Sequence, residues 1–284
     1  MGKIRTRGRL TVLGALVLLT SCCPSAPEPS SLTGTIIVGV VADSPGFSVG
    51  FINPAGFDIG LMRAIGSTLH TQVTSTPLTI AEREPKLQHK NVTLTIATYS
   101  ITTSRNQDGI DFAGPYMVTP QAFLIRADDT SISTDKDLKG KRVCTQKEGT
   151  GANVTIQGAD MGTKPDTTEK CVDLLSKGDV DAVFTDELVL YGYTEARKGE
   201  FKVILPGDFG ELQYYGIGLL GNHHADCLKL NDAINDYLRI QWRSDFKSTL
   251  QDAITAHPPD SNGGDFESHF KPSDSDQATL SCKL

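Results

Sequence analysis

Positive charge is scarce in this chain. Of its 284 residues 27 are Lys or Arg against 34 Asp or Glu, a formal net charge of −7. Four of those cations, Lys3, Arg5, Arg7 and Arg9, stand at the very start, so the remaining 23 basic residues face all 34 acidic ones, a balance of −11. A surface this acidic repels a phosphate backbone, which excludes nucleic acid as a partner. Internal repeats, heptads and low-complexity tracts are missing beyond residue 33, so no solenoid or coiled coil is expected. The six cysteines nowhere show Cys-x-x-Cys spacing, and the adjacent His223 and His224 read as solvated loop residues; no metal site and no cofactor are expected. The apolar run from Leu10 to Leu19 is too short to span a bilayer.

That run follows the four leading cations, and the combination matches a secretory signal over residues 1–21. It closes on Leu19-Thr20-Ser21-Cys22, which resembles the bacterial lipobox and implies a diacylglycerol on the Cys22 thiol. A lipid anchor on the outer face of the cell membrane is therefore expected, each buried methylene adding about 0.8 kcal/mol of membrane affinity. Residues 22–33 are rich in Pro and Ser and read as a tether. A secreted chain meets an oxidising compartment. Cys144, Cys171, Cys227 and Cys282 form an even set with three possible connectivities. Nearness in sequence, within one lobe each, leads us to expect Cys144 with Cys171 and Cys227 with Cys282.

The apolar pattern predicts strand, helix, strand, helix from Thr35 onward, the rhythm of an open α/β sheet. Thr35–Val41 reads as a buried parallel strand, Asp58 as the N-cap of a helix near 59–69, and further strands are expected over 73–78 and 92–97. The rhythm restarts at Asp137, with strands near 142–145 and 182–185 and a helix near 170–176. Two lobes are expected: residues 34–124 with 220–284, and residues 125–219. The extended segments 121–126 and 212–219 are read as paired crossings between them. Asn91-Val92-Thr93 and Asn153-Val154-Thr155 match glycosylation acceptors, a match without meaning in a bacterial chain.

The stretch Thr95–Tyr116 gathers hydroxyl residues and Arg105 just beyond a strand end, where open α/β sheets collect ligands. An arginine fork and free backbone N–H groups at 100–102 suit a carboxylate. The blocks Gly56-Phe57-Asp58, Ala97–Arg105, Asp111–Tyr116, Asp137–Lys141 and Gly178–Asp186 together resemble the polar amino-acid branch of bacterial extracellular solute-binding proteins. Within it they are most similar to glutamate-binding members of actinobacteria.

The resemblance implies a two-lobed periplasmic-binding-protein-like α/β fold that closes on a free amino acid (glutamate, glutamine, aspartate or asparagine) and delivers it to the membrane permease of an ABC importer. It further implies a monomer without catalysis. By the same resemblance Arg105 and Thr102 hold the α-carboxylate and Ser100 accepts from the α-ammonium. Gly149 and Thr150 add donors from the other lobe, Asp186 takes the ammonium, and Phe47 covers the ligand. A buried zwitterion needs both charges matched, because an unmatched buried ion costs several kcal/mol.

Two positions depart from the family pattern, Thr93 and Gly60, each standing where an Asp is common. The loop Ala42–Gly50 holds no Lys or Arg, so the cation for an acidic side chain falls to Arg83, Lys147 or Arg63. Two rival readings remain open: a sensor lipoprotein with a signalling partner, and a prephenate or arogenate dehydratase with Glu148 or Glu187 as general acid or base. The anchor has a direct check: labelled palmitate should enter the parent chain in a bacterial host and be absent from Cys22→Ala.

Overall fold

The computed structural model describes residues 1–2, 29–50, 52–205, 210–261 and 264–284. The signal expected at 1–21, apart from its first two residues, and the lipidation expected at Cys22 lie outside the described residues. In chain order the strands are β1 Thr35–Val41, β2 Asp43–Ser44, β3 Ser48–Val49, β4 Gln72–Leu78, β5 Leu94–Thr95, β6 Ile110–Thr119, β7 Gln121–Arg126, β8 Arg142–Cys144, β9 Asp160–Thr163, β10 Ala182–Asp186, β11 Phe201–Ile204 and β12 Gln213–Leu220. The helices are α1 Phe57–Thr68, α2 Arg83–Gln88, α3 Thr103–Gln107, α4 Thr168–Lys177, α5 Glu187–Ala196, α6 His224–Ile240, α7 Trp242–Thr249, α8 Gln251–Ala256, α9 Phe266–Phe270 and α10 Asp274–Leu280.

Two mixed sheets of five strands organise the described residues, in the orders β4-β1-β5-β12-β6 and β11-β7-β10-β8-β9. In the first, β1 pairs parallel to β4 and β5, while β12 runs antiparallel to β5 and β6. In the second, β8 pairs parallel to β9 and β10, and β7 runs antiparallel to β10 and β11. Helices flank both sheets, as alternating α/β sequence requires.

The sheets correct the expected crossings. Segments 121–126 and 212–219 do not pair with each other: β7 lies in the second sheet, and β12 pairs along β6 in the first. The chain therefore changes sheets at Pro120 and between 204 and 213, rather than at 124/125 and 219/220. Both segments are predominantly apolar because each is largely buried inside a sheet, and buried strands look like crossings from sequence alone. The expected tether also ends early. Ser30 Oγ and Ser31 N each donate to the Asp226 carboxylate at 2.6 Å, so the chain is docked on α6 before Gly34.

Phe57 anchors the first core: its ring lies 5.9–6.4 Å from those of Phe47, Tyr116, Tyr237, Trp242 and Phe246. Burying each such side chain contributes about 1.5–3 kcal/mol. The helix that carries Phe57 starts at N-cap Gly56, not at Asp58. Gly56 has φ 127°, and a Cβ there would lie 2.2 Å from the Phe47 carbonyl oxygen, so glycine is required at this approach. At Gly60 a Cβ would meet the Asp245 carboxylate at 2.7 Å, so an acid there would have to displace a side chain of like charge.

Cys144 of β8 is bonded to Cys171 of α4, and Cys227 of α6 to Cys282, the expected pairing. The first bridge closes a sequence separation of 27 and pins α4 to the sheet. Replacing Cys144 and Cys171 together by Ala should lower the unfolding free energy by about 3 kcal/mol. Urea denaturation without reductant measures this, and an unchanged midpoint would contradict it.

Candidate functional site

The carboxyl ends of β1, β4, β5, β8 and β10 converge on a cavity of about 320 Å³, large enough for a small ligand. From the side of the first sheet come Ser44, Leu78, Arg83, Thr98, Ser100 and Arg105. The second contributes Gln146, Gly149, Thr150, Thr168, Asp186 and Tyr193. Arg83 and Arg105 are the lining cations, and Glu82 and Asp186 the lining acids. Both cations ride on short helices that follow strands of the first sheet, Arg83 on α2 and Arg105 on α3, and the buried acid Asp186 ends β10 of the second.

Arg105 rides on α3, whose N-cap Thr102 accepts from the Arg105 backbone N–H at 3.3 Å. Its Nη1 donates to the Ser100 carbonyl at 2.5 Å and its Nε to Glu84 Oε1 at 3.2 Å. Arg83 is 3% exposed and lacks a carboxylate partner among the described ion pairs. It donates from Nε to the Ile80 carbonyl at 3.1 Å, and from Nη1 to the carbonyls of Ala97 at 3.1 Å and Thr98 at 3.3 Å. Burial, and then the like charge of Arg105, push its pKa down to about 10, so it stays charged at neutral pH. The two guanidinium carbons lie 4.4 and 4.7 Å from the centroid of the Tyr99 ring. Such cation–π contacts contribute about 0.5–2 kcal/mol each.

Asp186 ends β10 and occupies the N-cap position of α5, yet its side chain does not cap the helix. It accepts instead from the Tyr215 hydroxyl of β12 at 2.5 Å, a bond between the two sheets. Burial raises its pKa to about 6, against the Tyr215 hydrogen bond and the fields of Arg105 and Arg83. The backbone at Thr98 is left-handed, φ 44°, a conformation β-branched residues avoid. Its N–H donates to Asp58 Oδ2 at 3.1 Å and its carbonyl holds Arg83, so the strained turn is fixed from both sides.

The model of the bacterial extracellular solute-binding proteins, family 3, matches residues 36–257, most of the folded chain. This chain belongs to that family. The glutamate-binding protein GluB of Corynebacterium efficiens is 33% identical over 248 residues, 80% of this chain and 82% of the relative. GluB of Corynebacterium glutamicum is 33% identical over 269 residues, 85% and 88% of the two chains. Among solved structures, an ancestral arginine-binding protein bound to glutamine superposes with a TM-score of 0.66 at 27% identity, covering 77% of this chain and 99% of its own. The arginine-, lysine-, histidine-binding protein ArtJ from Geobacillus stearothermophilus gives 0.69 at 25% identity, covering 76% and 95%. An ancestral amino acid-binding protein described as a precursor of cyclohexadienyl dehydratase shares the fold, TM-score 0.68 at 23% identity.

Of the residues singled out in this solute-binding protein, Ser100, Arg105, Gly149, Thr150 and Asp186 line the cavity. Thr102 and Phe47 do not. Thr102 faces its own helix as a cap. Phe47 is fully buried between Phe57 and Tyr215, so the expected ligand cover is a core residue. Its loop doubles back to pair β2 with β3, which turns the ring inward. Of the three candidate cations only Arg83 lines the cavity. Arg63 donates to the Pro54 carbonyl on the outside of α1, and Lys147 is exposed beside Glu148. Glu148 and Glu187, cast as acid or base in the dehydratase reading, also lie off the cavity lining. Glu187 is fully buried and 2.7 Å from His257 Nε2. Asp58, expected as a cap, is a buried carboxylate that also accepts from the Tyr116 hydroxyl at 2.9 Å. Reading the sequence alone missed Tyr99 and Glu84, since an aromatic and an acid in those places resemble ordinary core and surface residues.

Burial lifts the pKa of Asp58 to about 7 and that of Asp186 to about 6. Each raised pKa supplies stability that is complete below about pH 4 and is lost as pH rises through the folded value. Asp58→Asn should therefore flatten the decline of unfolding free energy between about pH 4 and about pH 8 by a few kcal/mol. Urea titrations across that range test it; identical pH profiles for parent and variant would refute the assignment.

Proposed function

We propose that this chain is the amino-acid receptor of an ATP-driven importer, tethered by a lipid on Cys22 to the outer face of the membrane. It acts as a monomer, hands its ligand to a membrane permease and catalyses no reaction. The observation that carries the reading is the shared cavity: two guanidinium groups on helices beside one sheet and a buried carboxylate at a strand end of the other line the same space. Relatives named for binding glutamate support it. The lobes are assigned to residues 34–119 with 213–284, and to residues 121–204, following the sheets.

In this reading Arg105 takes the ligand α-carboxylate, with Gly149 and Thr150 adding donors from the second lobe. Asp186 and the Ser100 carbonyl take the α-ammonium, and Thr102 serves by holding α3 in place. Arg83 meets the side chain, which favours an acidic or amide group over an apolar one. A zwitterion joins charges that the lobes present separately, so ligand stabilises the closed form. Receptors of this kind need affinities near micromolar, about −8 kcal/mol.

A thermal-shift screen of the twenty amino acids on protein lacking residues 1–22 checks the proposal, since a ligand bound only by the folded state raises Tm. Glutamate, glutamine, aspartate or asparagine should give the largest shift, and Arg105→Ala should abolish it. Because the ionised Asp186 is the form that pairs with an ammonium, affinity should fall as pH drops through about 6. A full shift retained by Arg105→Ala would sink the assignment of the clamp.

A further inference from the structure

Glu84 is not required by any role described so far. It follows Arg83 in the first turn of α2, its side chain is 24% exposed, and its carboxylate lies 3.2 Å from Arg105 Nε. A guanidinium offers five N–H donors, and a carboxylate can meet it along the Nε edge or along the outer edge formed by both Nη atoms. In this chain the Nε donor is taken by Glu84 and one Nη1 donor by Ser100. What remains for a ligand is the outer edge.

Charge gives the second line of argument. Arg83 and Arg105 bring two positive charges; Asp186 and Glu84 bring two negative ones. Glu82 also lines the cavity, but its carboxylate accepts from the Thr79 N–H at 2.9 Å and lies 3.9 Å from Lys86. The four central charges thus balance before any ligand arrives. A zwitterion with an uncharged side chain preserves that balance, whereas an acidic amino acid adds one negative charge. Glu84 is adjacent in sequence to Arg83, the cation assigned to the ligand side chain, so its field acts on both guanidinium groups.

We propose that Glu84 is a specificity-determining residue, a carboxylate of the chain itself that confines the ligand to the outer edge of Arg105 and moderates the preference for acidic over amide side chains. This rests on the reading of the cavity as an amino-acid site. One unit charge acting through a partly buried, partly screened site is enough to alter relative affinity about tenfold.

Isothermal titration of glutamate and of glutamine into the parent, Glu84→Gln and Glu84→Asp provides the test. Glu84→Gln keeps an oxygen for Arg105 Nε–H and removes the charge, so the ratio of glutamine Kd to glutamate Kd should rise about tenfold. Glu84→Asp keeps the charge and withdraws it from Nε; both affinities should weaken together, with the ratio held within about twofold. Should Glu84→Gln leave the ratio unchanged while both ligands still bind, the role of Glu84 is overturned and the amino-acid reading survives. Should the parent bind neither ligand, the role of Glu84 is overturned, and should aspartate and asparagine fail to bind as well, the amino-acid reading falls with it. A ratio shifted equally by Glu84→Asp would also count against the charge argument.

Discussion

Two guanidinium groups held against one buried aromatic ring are the constraint around which the molecule is arranged. Arg83 and Arg105 repel each other, and both are largely withdrawn from water, so each must be stabilised by fixed acceptors. Tyr99 lies against both, backbone carbonyls take Arg83, and Glu84 with Ser100 takes Arg105. The carbonyls among these acceptors belong to residues 80, 97, 98 and 100, in the segments that follow β4 and β5. The sheet therefore has to be complete before the cationic half of the site can exist.

The opposite half depends on a different kind of contact. Asp186 is held by Tyr215, a residue of the other sheet, and the first turn of α5 is tied to the crossing: the Glu187 N–H donates to the Pro120 carbonyl at 2.8 Å and the Leu188 N–H to Thr119 Oγ1 at 3.2 Å. A shift of α5 relative to the crossing thus moves the site carboxylate with it. The C-terminal helices add to this coupling, since Asp252 of α8 accepts from Thr194 at 2.8 Å and from Lys198 at 2.5 Å. Relative motion of the sheets and the chemistry of the site are in this way connected through α5.

Phe47 and Thr102, expected at the ligand, and Asp58, expected as a helix cap, instead build the frame around the cavity. Phe47 packs in the core against Phe57 and Tyr215, Thr102 fixes the helix bearing Arg105, and Asp58 braces the strained turn at Thr98. These are the residues on which the positions of Arg83 and Arg105 depend.

The sequence by itself determined the α/β class and left three disulfide connectivities, of which nearness along the chain favoured the one found; its blocks, through the family they resemble, pointed to Ser100, Arg105, Gly149, Thr150 and Asp186 in the cavity lining, because apolar periodicity and short blocks such as the one ending in Arg105 are local properties. Tertiary structure alone decided which strands belong to which sheet, since a buried strand and a crossing have the same apolar composition. It also selected Arg83 among three cations and set Glu84 against Arg105 and Tyr99 between the two arginines. Those relations join residues such as 83, 99 and 105 across three separate elements, and no periodicity along the chain encodes a distance of that kind.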